Sequence, residues 1–263
     1  MTSLADRTIT ALRTLHDELA TVVSGLTDEQ LTGPSGASEW SVADALSHLG
    51  SGAEIGLETY RVAFDGAPEP DDDFNKNVWA RWDSSTPRQQ AAAFLEHDSA
   101  LLERIEGLTP EQRETAQVKL PYMPAPLPVA SIAGMRLNEV ALHGWDVRAE
   151  LDPHAAIDHD AAELLHEHFS GGIGFMLGFI ARPDAVAEPT VVALGPSPYR
   201  IVINSDGVAL TSDGSSPTAE FNGPAESAIR LLSGRLKPAY TPADVTVTGN
   251  VTLDQLRQVF PGF

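Results

Sequence analysis

Between Leu4 and Leu26 the apolar residues Leu4, Ile9, Leu12, Leu15, Leu19, Val22 and Leu26 recur largely at spacings of three and four. That rhythm predicts an amphipathic helix closing at or just after Gly25. A second helix opens in SEWSVADALSHLG, where Ser41 takes the cap position and Asp44 stands three residues on, a capping-box arrangement ahead of an apolar run. His48 falls two turns inside it. The polar, Asp-rich stretch PEPDDDFNK then leads to a third helical run from about Arg88 to Gly107, and PYMPAPLP interrupts the chain before a fourth, from about Val129 to Glu150. Four helices joined by loops predict a bundle.

After Glu150 the period changes. A helix in AAELLHEHF is followed by short runs suited to strands, TVVAL, YRIVIN, GVALT and TAEFNG, with NSDG between two of them as a hairpin turn. PAESAIRLLSGR reads as a helix, DVTVTG as a strand and VTLDQLRQVF as a closing helix. The expected class is therefore α+β in two domains, a helical bundle over 1–151 and an α+β domain over 152–263. Within the first domain HDELATVVSGLTDEQL, from His16, echoes HDSALLERIEGLTPEQR, from His97. Two related helix pairs would produce this echo, and so would shared helix-end chemistry.

Composition narrows the function. The chain has 263 residues, with 37 acidic against 17 basic side chains and a formal charge of −20, which disfavours nucleic acid or an anionic membrane as partner. MTSLADRTIT lacks the basic start and apolar run of a signal peptide, and the apolar stretch IGFMLGFIA is too short to span a bilayer, so the expectation is a cytoplasmic protein, monomer or homodimer. There is no cysteine. Any metal must therefore sit on His, Asp and Glu, and any thiol in the chemistry must come from outside.

The stretch NEVALHGWDV sets Glu139 and His143 four apart in the fourth helix. That spacing puts two donors on one face, about 6 Å apart along the axis. With His48 from the second helix they would form a His₂Glu set, which on tetrahedral zinc leaves a position open, as catalytic sites do. From spacing alone, a metal-free polar cluster in which Glu139 satisfies both imidazoles is the simpler reading. Asp44 and Asp146 lie where they would orient the two imidazoles, although Asp44 is already accounted for as a cap. His154, His159, His166 and His168 read as incidental to a solvated acidic face. GGIGF lacks the setting of a dinucleotide fingerprint and reads as a closely packed turn.

EWSVADALSHLG, NEVALHGWDVRAEL and FNGPAESAIRLLSGR with DVTVTGNVTLDQLRQVF together resemble the mycothiol-dependent maleylpyruvate isomerase family, across nearly the whole chain. The resemblance implies a DinB-like metal-binding four-helix bundle followed by a small α/β domain of sterol-carrier type. It implies zinc or another divalent metal on His48, Glu139 and His143, which reverses the balance against the metal-free cluster. It also implies an arginine between the second and third helices that holds substrate, for which Arg81 is the nearest candidate. The implied cofactor or cosubstrate is mycothiol, a low-molecular-weight thiol. At the open metal position a thiol would lose its proton and become a competent nucleophile. Added to a conjugated cis double bond and later expelled, it would isomerise a small electrophile; retained, it would make a thioether, so isomerase and S-transferase need the same ligands. The residues equally admit a hydrolase using metal-bound water, or a non-catalytic ligand-binding or stress protein.

Overall fold

The apolar rhythm of the N-terminal part becomes four long helices and three short ones in the computed structural model, which describes residues 2–262. Helix α1 (Leu4–Ser24) starts with Ser3 Oγ accepting from the Asp6 amide and ends at Gly25. A short α2 (Asp28–Thr32) precedes α3 (Val42–Asp65), which opens with the Ser41 and Asp44 capping box. Next come α4 (Phe74–Asp83), α5 (Pro87–Glu106), α6 (Pro110–Thr115) and α7 (Val129–Ala149). Between α6 and α7 the strands β1 (Gln117–Val118) and β2 (Leu127–Pro128) pair antiparallel, so the Pro-rich segment is the tip of a small hairpin.

Both α1 and α3 pack on α5 and on α7, closing a four-helix ring. Its centre is lined by buried side chains such as Leu12, Leu46, Leu49, Phe94, Leu137 and Val140, each large one contributing about 1.5–3 kcal/mol by leaving water. The predicted four-helix bundle is therefore present. Helix α4 is a correction, since the sequence predicts only a polar lead-in here. Val78 and Trp82, four apart, form its buried stripe, and Trp82 lies so close to Gly50 that a Cβ there would come within 2.1 Å of the indole. The GLTxEQ echo has a local cause: each copy is a glycine helix end followed by a threonine–glutamine capping box, Thr27 with Gln30 and Thr109 with Gln112.

The chain divides into two compact units between Ala155 and Ala156. The second contains α8 (His159–Phe169), α9 (Leu177–Ile180), β3 (Thr190–Leu194), β4 (Arg200–Asn204), β5 (Gly207–Thr211), β6 (Ala219–Asn222), α10 (Ala225–Leu232), β7 (Thr246–Gly249) and α11 (Leu253–Val259). Every strand run read from the sequence is found. They form one sheet in the order β5-β4-β3-β6-β7, in which only β3 and β6 are parallel. Alternation along β4 buries Ile201 and Ile203. The class is α+β, as expected. Among the described residues no helix is long and apolar enough to cross a membrane.

One histidine assignment is overturned here. His154 and His159 are exposed, but His166 and His168 are buried on the inner face of α8. Their spacing in AAELLHEHF, interleaved with Leu164, Leu165 and Phe169, puts them on the apolar side of the helix rather than on a solvated face.

Candidate metal centre

Helix α7 is buried on nearly every side, because it packs against α1, α3 and α6. A polar group on such a helix needs a partner. Glu139 finds two across and along the helix: its Oε2 lies 2.8 Å from His48 Nε2 on α3 and 3.7 Å from His143 Nε2 one turn on. One donor atom from each of the three residues lies within 4.8 Å of the others, the one such group of three or more His, Asp or Glu among the described residues. The imidazole centroids are 4.6 Å apart.

Side-chain exposure is 44% for His48, 36% for Glu139 and 13% for His143, so the cluster opens to solvent on the His48 side. The fully buried Asp146 sits 2.8 Å from His143 Nδ1. A carboxylate there accepts a hydrogen bond from Nδ1–H, which leaves Nε2, on the Glu139 side, as the nitrogen a metal would take. Burial alone would raise the Glu139 carboxyl, but the His48 bond and the charges of His143, His48 and Arg136 outweigh it and hold it at about 2. A divalent cation that displaces the Nε2 protons would meet one carboxylate and two imidazole nitrogens within 4.8 Å of one another, a donor set that suits zinc. Asp44, by contrast, is spent on the cap: its Oδ2 accepts from the Ser41 amide and hydroxyl.

A wall the sequence reading missed stands beside these ligands. The indole of Trp40 stacks on His143 at 5.5 Å and 22° and lies tilted on His48 at 5.3 Å. Its loop is tied down from several directions. Ser35 donates through both amide and Oγ to the Trp40 carbonyl, and the Gly36 amide donates to the carbonyl of Asp146 at 2.8 Å. A Cβ at Gly36 would come within 2.7 Å of Trp145, so only glycine allows this approach to α7. Glu39 adopts φ 67°, a left-handed conformation costing of order 1–3 kcal/mol for a residue with a side chain. That strain sets the direction in which Trp40 leaves the chain. The signal for Trp40 lay in its position immediately before the ligand helix, but the turn that aims it left no periodic trace.

Arg81, the sequence candidate for holding substrate, lies on α4 and is exposed. Its guanidinium pairs with Glu54 of α3, whose other oxygen accepts from Trp82 Nε1 at 2.9 Å. Among the described residues it makes no bond to His48, Glu139 or His143. Tyr122, at the tip of the Pro-rich hairpin, is exposed as well. Its phenol is pushed up by partial desolvation and then by the charge of Glu139, which puts it within electrostatic reach of the ligand set. Met123 packs onto the bundle core from the same tip.

Residues 12–148, just over half of the chain, match the family described as the mycothiol maleylpyruvate isomerase N-terminal domain. Two uncharacterized proteins of Mycobacterium tuberculosis, one from strain CDC 1551 / Oshkosh and one from strain ATCC 25618 / H37Rv, are each 29% identical to it over 153 residues, 56% of this chain and 72% of theirs. The fold is similar over the full length of both chains to a crystal structure of the mycothiol-dependent maleylpyruvate isomerase, at TM-score 0.64 and 16% identity, and to that of a histidine-to-alanine mutant, at 0.65 and 15%.

Proposed function

Because the chain belongs to the mycothiol maleylpyruvate isomerase N-terminal domain family, we propose that it is a metal-dependent enzyme that activates a small thiol, mycothiol, for attack on a small electrophile. The observation that carries this reading is the convergence of His48, Glu139 and His143, with Asp146 holding the proton of His143 on the far nitrogen. A divalent cation on these three residues, zinc in this reading, would supply the Lewis acidity that makes a thiol ionise near neutral pH.

The chain's own side chains do the rest. Glu139 stays ionised and Asp146 keeps His143 in its ligating tautomer. Trp40 covers the two imidazoles and keeps water from one side of them. The hairpin tip carrying Tyr122 and Met123 forms a stiff wall, since its prolines restrict the backbone. Arg81 is the cation assigned to the substrate. Glu54 neutralises it in this structure, so a carboxylate-bearing electrophile would bind by exchanging with Glu54. Residues 1–151 form the metal-binding domain in this reading, and 152–263 a separate domain. Isomerisation of a maleylpyruvate-type cis alkene and S-transfer share the first step, attack of the thiol on the electrophile.

The test is metal analysis of the purified protein, followed by electrophile consumption with and without mycothiol. One divalent ion per chain and turnover strictly dependent on the thiol are expected. Turnover without thiol would assign a hydrolase instead, and metal binding with no turnover of any electrophile would leave a binding protein.

A further inference from the structure

A short way from the ligands all four long helices meet at one buried polar point. His16 Nδ1 of α1 lies 2.6 Å from Asp98 Oδ2 of α5. The other Asp98 oxygen accepts from Arg136 Nη2 of α7 at 2.6 Å, and the same nitrogen donates to the carbonyl of Leu49 in α3 at 3.0 Å. Leu49 directly follows the ligand His48, and Arg136 precedes the ligand Glu139 by less than one turn. A single nitrogen therefore ties together the two helices that must present ligands to one ion.

We propose that Arg136 is the positioning residue of the metal site, fixing α3 against α7 so that His48, Glu139 and His143 converge before an ion arrives. The inference rests on the metal-binding reading above. Apolar contacts between helices are non-directional and tolerate small slides along their axes, whereas a hydrogen bond does not. Metal ligation tolerates only about 0.2 Å in ligand distance, so an uncorrected slide would be felt at the ion. The cavity beside Arg136, walled by Leu12, Asp98, Leu101 and Val140 among others, is about 10 Å³. That is too small for an organic ligand, and the Arg136 Nη2 is already committed to Asp98 and to the Leu49 carbonyl, so the role argued for Arg136 is positioning. Nor is stability an adequate account of the cluster, because a buried ion pair is often matched or bettered by apolar residues of similar volume.

The experiment compares the full-length wild type with Arg136→Met/Asp98→Leu, Arg136→Gln and Arg136→Lys. Zn²⁺ affinity is measured by chelator competition, the absorption spectrum is recorded with Co²⁺ bound, and Tm is measured without metal. The double variant removes both buried charges and is expected to keep its Tm while binding Zn²⁺ about 10–100-fold more weakly, the loss typical when a partner behind the ligands is removed. Its Co²⁺ band should change shape. Lysine retains a donor for Leu49 and Asp98, so Arg136→Lys should recover most of the affinity and the wild-type band. Arg136→Gln leaves Asp98 without its cation and should lower Tm, so, should the double variant not fold, Arg136→Gln is read by the Co²⁺ band of its folded form, which a loss of stability alone would not change. Unchanged Zn²⁺ affinity and Co²⁺ spectrum in the folded variants would overturn the proposal, as would affinity losses that only track Tm. A wild type that binds neither ion would overturn the metal site itself, and this inference with it.

Discussion

Two histidine–carboxylate clusters lie close together in the helical bundle and differ in what they have left to offer. At the first, His48, Glu139 and His143 bring three donor atoms within 4.8 Å of one another, no arginine among the described residues bonds to Glu139, and the group is open to solvent. At the second, His16, Asp98 and Arg136 have side-chain exposures of 10%, 6% and 10%, and the guanidinium already occupies the place a metal ion would take beside the carboxylate. The residue types are nearly the same. Access and the source of positive charge separate a site that can accept a cation from one that carries its own, and the contrast can be attacked experimentally from both ends.

The largest expected effect is at the open cluster. His48→Ala, Glu139→Ala and His143→Ala should each lower divalent-metal affinity by more than about 100-fold, since a ligand counts for more than the hydrogen-bonding partner behind it. Metal content after dialysis checks this, and full occupancy in all three variants would erase the distinction. Circular dichroism should stay native, because none of these side chains belongs to the apolar core. The closed cluster should respond in the opposite manner. Asp98→Asn strands the Arg136 charge and should cost about 3–5 kcal/mol in a denaturation midpoint experiment. Burial would raise the Asp98 carboxyl, but the Arg136 charge and the bonds from His16 and Arg136 hold it below the ordinary carboxylate range. With a folded pKa below the unfolded one, its stabilisation is complete at neutral pH and is lost as pH falls through and below that range.

His166 supplies the limiting case, a buried histidine with no hydrogen-bond partner on either ring nitrogen. Burial pushes it from 6.5 down to about 4. The unfolded chain then takes up a proton at higher pH than the folded one, so stability is complete above about 6.5 and falls as pH drops toward 4, by roughly 3 kcal/mol. His166→Leu should remove that part of the acid sensitivity, visible as a flatter dependence of the unfolding midpoint on pH. The smallest effect is expected at the rim. Tyr122→Ala should raise the apparent KM for the electrophile severalfold and leave metal content unchanged. Loss of metal in that variant would show that the hairpin tip supports α7 rather than the substrate.

Much of this was legible in the chain itself. Apolar spacings of three and four located α1, α3, α5 and α7, and a glutamate four residues before a histidine on one of them singled out Glu139 and His143. What stayed hidden has physical reasons. Helix α4 is short and follows an acidic run, so only Val78 and Trp82 betray its buried stripe. His16 and Asp98 interrupt apolar ladders, a sign of buried polar groups, but their partnership spans 82 positions and depends on the closed bundle. The placement of Trp40 depends on one left-handed residue, Glu39, and on a glycine that fits under Trp145, neither of which has a period. Burial of His166 was masked because its helix looked acidic when read by composition instead of by face.

The stacking of Trp40 on both imidazoles also makes the protein its own optical probe. An indole in contact with imidazole loses more of its emission when the ring is protonated than when it is neutral, so proton and cation occupancy at His48 and His143 should be written into the fluorescence of this one residue. Trp145 is buried and donates to the Ala155 carbonyl, whereas Trp82 packs on His97 and Trp79 is exposed, so the signal of Trp40 is isolated by difference against a variant that lacks it. Emission that changes on adding Zn²⁺ in the wild type but not in Trp40→Phe would then report ligand occupancy in real time, with no label and no turnover.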